Sequence, residues 1–293
     1  MKVEISICIP AFNNVGTLIK CIDSILIQTF TNYEIIITDD STSLDIQDYV
    51  LTLKDCRIKY FKNNVKLGSP ENWNEAIRKS SAELIKLMHH DDCFADKESL
   101  QLFYNEMLDK KVSIAFGTSV NYDIVSQQII NLNNASIQIA ERINHNPFIL
   151  LCANLIGSPS AMIFRKRDLI FDNKLVWLVD IDFYISMLKD GSELRHCEEA
   201  SVIIGISENQ ITKSVQDDQA INIFEYFYIL QKNKIRKVFN TIYTKPTTDL
   251  IRKFQIKNIH QIKFYFQGEL PIDISRYFTF RYRIKNYFLS KVR

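Results

Sequence analysis

Across residues 3–92 the hydrophobic period switches repeatedly between two and about 3.6 residues. That alternation limits the possible folds more than any other feature. "EISICIP" is a β-branched run ended by Pro10 and reads as a strand. In "AFNNVGTLIKCIDSILIQ" the residues Leu18, Ile22, Ile25 and Leu26 fall at helical spacing, with Asn13 or Asn14 as the cap. "YEIIITDDST" is again a strand, "LDIQDYVLTL" a helix, "RIKYFKN" a strand and "SPENWNEAIRKSS" a helix opened by Ser69 and Pro70. "ELIKLMHHDD" is the fourth strand. Strand and helix in regular alternation imply an α/β sheet with parallel strands. Such sheets bind ligands outside the carboxyl ends of their strands. Here those ends are Pro10-Ala11-Phe12-Asn13, Asp39-Asp40 and His89-His90-Asp91-Asp92, so acids from two strands and an Asn-bearing loop from a third line one crevice.

The run of four ionisable residues at 89–92 calls for a specific explanation. Neighbours on an extended chain point to opposite faces, so the four split into His89 with Asp91 and His90 with Asp92 and do not close together on one zinc ion. A polar turn capping a buried strand is the structural alternative. Neither G-x-G-x-x-G nor G-x-x-x-x-G-K-[ST] occurs, and seven glycines offer no backbone cradle for phosphates. A phosphorylated ligand would therefore be held through carboxylate-bound Mg²⁺ or Mn²⁺, ions that prefer hard oxygen ligands.

With 293 residues, 46% of them hydrophobic, the chain can bury a large core, which excludes a disordered protein. Six widely spaced cysteines read as reduced thiols of a cytoplasmic protein, and no apolar stretch is long enough to span a membrane. The net charge of +2 hides a basic end: Arg276, Arg281, Arg283, Lys285, Lys291 and Arg293 have no acid among them. Two readings of "SRYFTFRYRIKNYFLSKVR" stand, peripheral attachment to an anionic cytoplasmic leaflet or a basic helix packed on the domain. The acid-lined crevice argues against phosphodiester substrates, so nucleic acid is not an expected partner.

The series "SICIPAFNN", "EIIITDDSTS", "NVKLGSPENWNEAI", "LIKLMHHDD", "IGSPSAMIFRK" and "WLVDIDFYISML" resembles the inverting, nucleotide-sugar-dependent glycosyltransferases of family 2, which have the GT-A fold. The resemblance covers roughly residues 3–215. It implies an α/β catalytic domain at 1–215 with a Rossmann-like, mostly parallel sheet flanked by helices. Residues 1–95 would form the nucleotide-sugar half and 96–215 the acceptor half, and a helical, basic extension would occupy 216–293. By the same resemblance Pro10, Phe12 and Asn13 form the first nucleotide-contacting loop, and Asp39 accepts a hydrogen bond from the base, commonly uracil. Lys66 and Asn72 belong to the donor pocket, and Gln210 lies on a segment over it. A capping turn at Asp39-Asp40, an exposed loop lysine at 66 and a core role for Trp73 are the structural alternatives. The family's D-x-D motif falls on His89, His90 and Asp91. His89 departs from it at the first acidic position, which leaves Asp91 as the metal ligand and His89 and His90 as donor contacts.

An inverting transfer also needs a carboxylate that takes the proton of the attacking hydroxyl, worth about 10²- to 10⁴-fold. Ile181, Tyr184, Ile185 and Leu188 recur at helical spacing, which sets Asp180 at an N-cap and Asp182 in the first turn. A helix cap worth about 1 kcal/mol explains an aspartate there equally well. The resemblance aligns the family's Glu-Asp pair with Val179 and Asp180, making Asp180 the base and Asp182 the second candidate. It implies transfer from a nucleoside diphosphate sugar, UDP-sugars first, to a saccharide or lipid-linked saccharide, in bacterial surface polysaccharide or lipopolysaccharide synthesis. A degenerate nucleotide-binding module of a glycan assembly complex is the alternative of a different class.

Overall fold

The computed structural model describes residues 2–133, 136–206 and 215–280. Its first half follows the sequence periodicity: β1 (Ile5–Ala11), α1 (Val15–Leu26), β2 (Tyr33–Asp39), α2 (Asp45–Thr52), β3 (Ile58–Lys62), α3 (Glu71–Lys79) and β4 (Leu84–Leu87). These four strands run parallel in the order β3-β2-β1-β4, with β1 and β2 buried along their whole length. Continuous Ile-rich runs are what a sheet covered on both faces requires.

Past β4 the sheet becomes mixed. The added elements are β5 (Cys93–Phe94), α4 (Ser99–Glu106), β6 (Val112–Asp123), β7 (Gln128–Asn133), α5 (Ile137–His145), β8 (Met162–Arg165), α6 (Val179–Leu188) and β9 (Glu193–Ile206). The full path is β3-β2-β1-β4-β8-β6-β9-β5, with β7 paired to β6. β8 runs antiparallel to β4 and β6, while β9 runs parallel to β6. The order reverses between β1 and β4, and a crevice outside the carboxyl ends of the strands at such a switch point is the usual ligand position.

The opposite, amino-terminal edge of the sheet is tied by one carboxylate. Glu34, at the start of β2, accepts from Ser6 Oγ of β1 at 2.6 Å, from Lys59 Nζ of β3 at 2.6 Å and from the Ser81 backbone N–H just before β4 at 2.6 Å. Burial alone would raise its pKa, but the donors from Lys59, Ser6 and Ser81 outweigh it and hold the carboxyl at about 2.

The described residues form two compact units, the first comprising 2–133, 136–150, 154–173 and 179–206 and the second 151–153, 174–178 and 215–280. The second contains α7 (Gln219–Lys232), α8 (Thr244–Lys253) and α9 (Ile259–Tyr265), packed through Phe227, Leu230, Ile251 and Ile262. Within it the buried Glu225 of α7 accepts the backbone N–H groups of Val176, Trp177 and Leu178. The basic stretch from Arg281 onward, expected as a membrane or domain contact, lies outside the described residues.

Replacing Glu34 by Gln is expected to destabilise the first unit by roughly 3 kcal/mol at neutral pH, from a carboxyl held at about 2 against an ordinary 4.5. The depressed pKa makes this stability present above the ordinary value and lost as pH falls through the folded one. Denaturant unfolding should therefore show a wild-type to Glu34→Gln gap that is constant above pH 5 and closes toward pH 2. A gap independent of pH would contradict the staple.

Candidate functional site

The first wall of the crevice is the β1–α1 loop. Strand β1 continues through Pro10, which pairs with Thr38 of β2, whereas pairing on the β4 side stops at Met88 N–H to Cys8 O. A proline is tolerated in the strand because that side no longer needs a donor. Asn13 adopts a left-handed φ of 53°, which asparagine tolerates better than most residues. Its backbone N–H donates to Ser41 Oγ at 2.7 Å and its Oδ1 accepts from Thr42 N at 3.0 Å, clipping the loop onto the end of β2. The cap of α1 is Asn14, whose Oδ1 accepts from Thr17 N. Phe12 is 37% exposed, and Lys66 Nζ lies 4.2 Å from its ring centroid. Two residues expected at the donor pocket thus meet in a cation–π pair.

The second wall is more heavily braced than expected. Asp39 is fully buried and accepts from Ser41 N at 2.8 Å, Tyr60 OH at 2.7 Å and Lys62 Nζ at 3.0 Å. Burial raises its pKa, and the bonds from Ser41, Tyr60 and Lys62 overcome this and bring it below the ordinary carboxylate value. Both oxygens of this carboxylate already have donors, Oδ1 from Ser41 and Oδ2 from Tyr60 and Lys62. Asp40 accepts from Asn63 Nδ2, Leu67 N and Gly68 N, and so shapes the loop that carries Lys66. Asn72, expected as a donor-pocket contact, lies beneath these loops. It is buried, donating to Thr38 O and accepting from Asn63 Nδ2, so it holds these loops from within.

The third wall is the segment 89–92. It is a turn closed by Asp92 N–H to His89 O, not an extended chain, so the alternation of faces expected from sequence does not apply. His89 faces Asp92 instead of Asp91, with Nδ1 3.6 Å from Asp92 Oδ2. The turn is pinned from three sides. His89 N–H donates to Ser160 Oγ at 2.9 Å, Gly205 N–H donates to Asp92 Oδ1 at 2.9 Å, and the buried Lys86 ammonium donates to the Ser160 carbonyl. β9 approaches so closely that a Cβ on Gly205 would stand 2.2 Å from the Asp91 carbonyl oxygen. Trp73 packs on the His89 ring at 4.8 Å and edge-on to Phe171, a half-buried packing role.

Burial pushes His89 down to about 4, so its imidazole is neutral near pH 7. Burial and then the Asp91 charge push Asp92 well up, and burial brings Lys86 down to about 7 against the pull of Asp92. His89 Nε2 and Asp92 Oδ2 are buried without a hydrogen-bond partner, and such atoms call for an explanation. Both atoms are enclosed within the turn, beside the half-buried Asp91 and His90. Among the described residues no three His, Cys, Asp or Glu side chains converge on a metal position. A Mg²⁺ or Mn²⁺ at Asp91 would thus take most of its oxygens from substrate and water, the usual habit of a hard octahedral ion bound with a diphosphate.

The candidate base sits on α6, which begins at Val179, two residues earlier than an N-cap at Asp180 implies, so Asp180 stands inside the first turn. The helix is buried on nearly every side, with only Asp180 and Ser186 reaching solvent. Asp180 Oδ2 accepts from Asn154 Nδ2 at 2.7 Å. Asp182, two residues on and about 200° round the helix, is 1% exposed. Asp182, expected as the alternative base, is thus turned into the core in this structure. Gln210 lies outside the described residues.

Sequence reasoning missed how residues 154–161 connect these parts. Asn154 holds Asp180, Tyr184 OH donates to Gly157 O at 3.0 Å, and Ser160 holds both His89 and Lys86. The small residues of "GSPSAMIFRK" signalled a close approach at this point, but not that one loop would join the candidate base to the turn at β4.

Comparison with known proteins agrees with this geometry. The profile of Glycosyl transferase family 2 matches residues 6–170, more than half of the chain. The putative colanic acid biosynthesis glycosyl transferase WcaA of Escherichia coli is 29% identical over 88% of this chain and 88% of its own. The Escherichia coli UDP-Glc:alpha-D-GlcNAc-diphosphoundecaprenol beta-1,3-glucosyltransferase WfgD is 28% identical over 64% of this chain and 71% of its own. An uncharacterized Mycobacterium tuberculosis protein is 29% identical, with the match spanning 64% of this chain and 62% of that one. Among solved structures, Staphylococcus aureus TarS in complex with UDP-GlcNAc superposes with a TM-score of 0.60 at 14% identity, covering 90% of this chain and 74% of that one. The mannosyltransferase PcManGT of Pyrobaculum calidifontis, in complex with GDP-Man and Mn²⁺, gives 0.57 at 12% identity over 89% of this chain and 72% of that one. The sheet order and the family match agree: the chain has the GT-A fold and belongs to glycosyl transferase family 2.

Proposed function

We propose that this protein transfers a sugar, with inversion, from a nucleoside diphosphate sugar, UDP-sugars foremost, to a saccharide or lipid-linked saccharide in surface polysaccharide synthesis. The carrying observation is that one segment, 154–161, holds both the turn at the end of β4 and the partly exposed Asp180. Donor-side and acceptor-side groups are thereby fixed by the same loop. Family membership supports a transferase, the likeness to the colanic acid biosynthesis protein WcaA supports the polysaccharide context, and the diphosphoundecaprenol-linked acceptor of WfgD supports a lipid-linked one.

In this reading Phe12, Asn13 and Lys66 border the nucleotide, and His89 and His90 face the diphosphate. Asp91 would hold Mg²⁺ or Mn²⁺ together with diphosphate oxygens, and the bound ion supplies Lewis-acid neutralisation of the leaving group. Asp180 takes the proton of the acceptor hydroxyl as that oxygen bonds to the anomeric carbon and the bond to the nucleoside diphosphate breaks, its electron pair leaving with the phosphate oxygen. Action at the cytoplasmic face of the membrane, with the basic carboxyl-terminal stretch as a peripheral contact, follows if the acceptor is lipid-linked. Among the described residues no helix is long and apolar enough to cross a membrane. The His in place of the first motif acid is the one observation favouring a nucleotide-binding module without turnover.

Assay of nucleoside diphosphate release from UDP-, GDP- and dTDP-sugars, with Mn²⁺ or with EDTA and an acceptor-containing lysate, should show metal-stimulated release from one donor. Nucleotide binding without release in any combination would favour the module. Asp180→Asn should keep nucleotide affinity by calorimetry while kcat falls by about 10²- to 10⁴-fold, whereas Asp91→Asn should weaken metal-dependent nucleotide binding. Equal loss of affinity in both would overturn the assignment of roles. Gly205→Ala, which drives a methyl against the Asp91 carbonyl, should cost about 1–3 kcal/mol of stability and weaken nucleotide binding about tenfold or more. Unchanged affinity would show that the pinned turn is not part of the donor site.

A further inference from the structure

An open concavity of about 410 Å³ lies between β6, β7 and the 154–158 loop. Its volume is within the range of about 300–1,000 Å³ usual for small-molecule sites. Ser119, Asn121, Asn131, Asn133, Asn154 and Ser158 line it; no lining residue is charged, and Leu132 is the one large apolar side chain. We propose that this concavity is a subsite for an uncharged sugar ring of the acceptor, one bearing free hydroxyl or N-acetyl groups; the proposal rests on the transferase reading above.

Amide and hydroxyl side chains each donate and accept, as sugar hydroxyls do, so either sense of hydrogen bond can be met. A phosphate or carboxylate entering the same space would lose water and find no cation, which selects against anionic rings. The asparagines are held in place. Asn121 Nδ2 donates to Asn131 Oδ1 at 2.7 Å across β6 and β7, beside an irregularity in the register at Asn121/Tyr122. That cross-strand bond uses one donor and one acceptor, so most of the capacity of the two amides stays open to a ligand. Gly157 keeps the space clear: its φ is +94° and a Cβ there would stand 2.8 Å from Asn133 Nδ2. Asn154 both lines the concavity and hydrogen-bonds Asp180, which places the subsite beside the candidate base.

Saturation-transfer NMR with methyl glucoside, methyl galactoside, methyl N-acetylglucosaminide and the anionic methyl glucuronide, in the presence of UDP, tests this directly. At least one neutral glycoside should receive saturation from the wild type, and the glucuronide much less. Asn121→Leu/Asn131→Leu should reduce that signal about tenfold, and so should Gly157→Ala. If the double variant does not fold, Asn131→Leu at an exposed edge position replaces it. Preferred binding of the glucuronide, no binding of any neutral glycoside, or an equal signal from the folded variants would each overturn the subsite. Calorimetry of UDP and GDP on the same proteins tells the two readings apart. Absent nucleotide binding in the wild type would defeat the donor site, whereas intact nucleotide binding with no glycoside signal would defeat the subsite alone.

Discussion

Ser160 makes two bonds on which the rest of the site depends. Its carbonyl accepts the ammonium of Lys86, which is fully buried inside β4, and its hydroxyl accepts the backbone N–H of His89 at the end of that strand. An amine in a water-free core is costly unless it is hydrogen-bonded or neutralised, and both forms of relief operate here. Burial lowers Lys86 to about 7 and raises Asp92, so each group moves toward its uncharged form. With the Gly205 amide on Asp92 from β9, the turn carrying Asp91 is fastened to two neighbouring strands, β8 through the Ser160 loop and β9. A turn fixed before any ligand arrives spends less binding free energy on ordering itself.

The sheet has two tied edges with different tasks. Glu34 joins the strand starts, where nothing else is asked of the chain. At the strand ends, Asp39, Asp40 and Asn72 use buried polar groups to hold loops, so that Phe12, Lys66 and the 89–92 turn project from a rigid rim. Buried carboxylates persist there because backbone amides, hydroxyls and Lys62 satisfy them.

The first four strands and three helices were legible because buried parallel strands and amphipathic helices carry strong periodic signals. The placement of Phe12, Asn13, Asp40 and Asp180 at element ends was legible for the same reason. What sequence could not show were contacts that close over long separations: Ser160 with His89, Asn154 with Asp180, and Gly205 with Asp92. The pairing of His89 was misread because four polar residues after a strand look extended, whereas a turn brings residues three apart together. The burial of Asp182 was not legible either, because only the direction of an aspartate around an apolar helix decides whether it meets solvent. The mixed strands beyond β4 are short or irregular, and their order is set by pairings that no local pattern encodes.

The central claim of the proposed function is that the pinned turn receives a nucleoside diphosphate and that Asp91 would hold the divalent metal bound with it. An anomalous difference map from crystals grown with UDP and Mn²⁺, collected at the manganese edge, tests it most directly. The account predicts a peak between the Asp91 carboxylate and the diphosphate oxygens at the carboxyl end of β4. Nucleotide seated in the crevice with manganese absent from the turn, or nucleotide bound elsewhere on the chain, would contradict it.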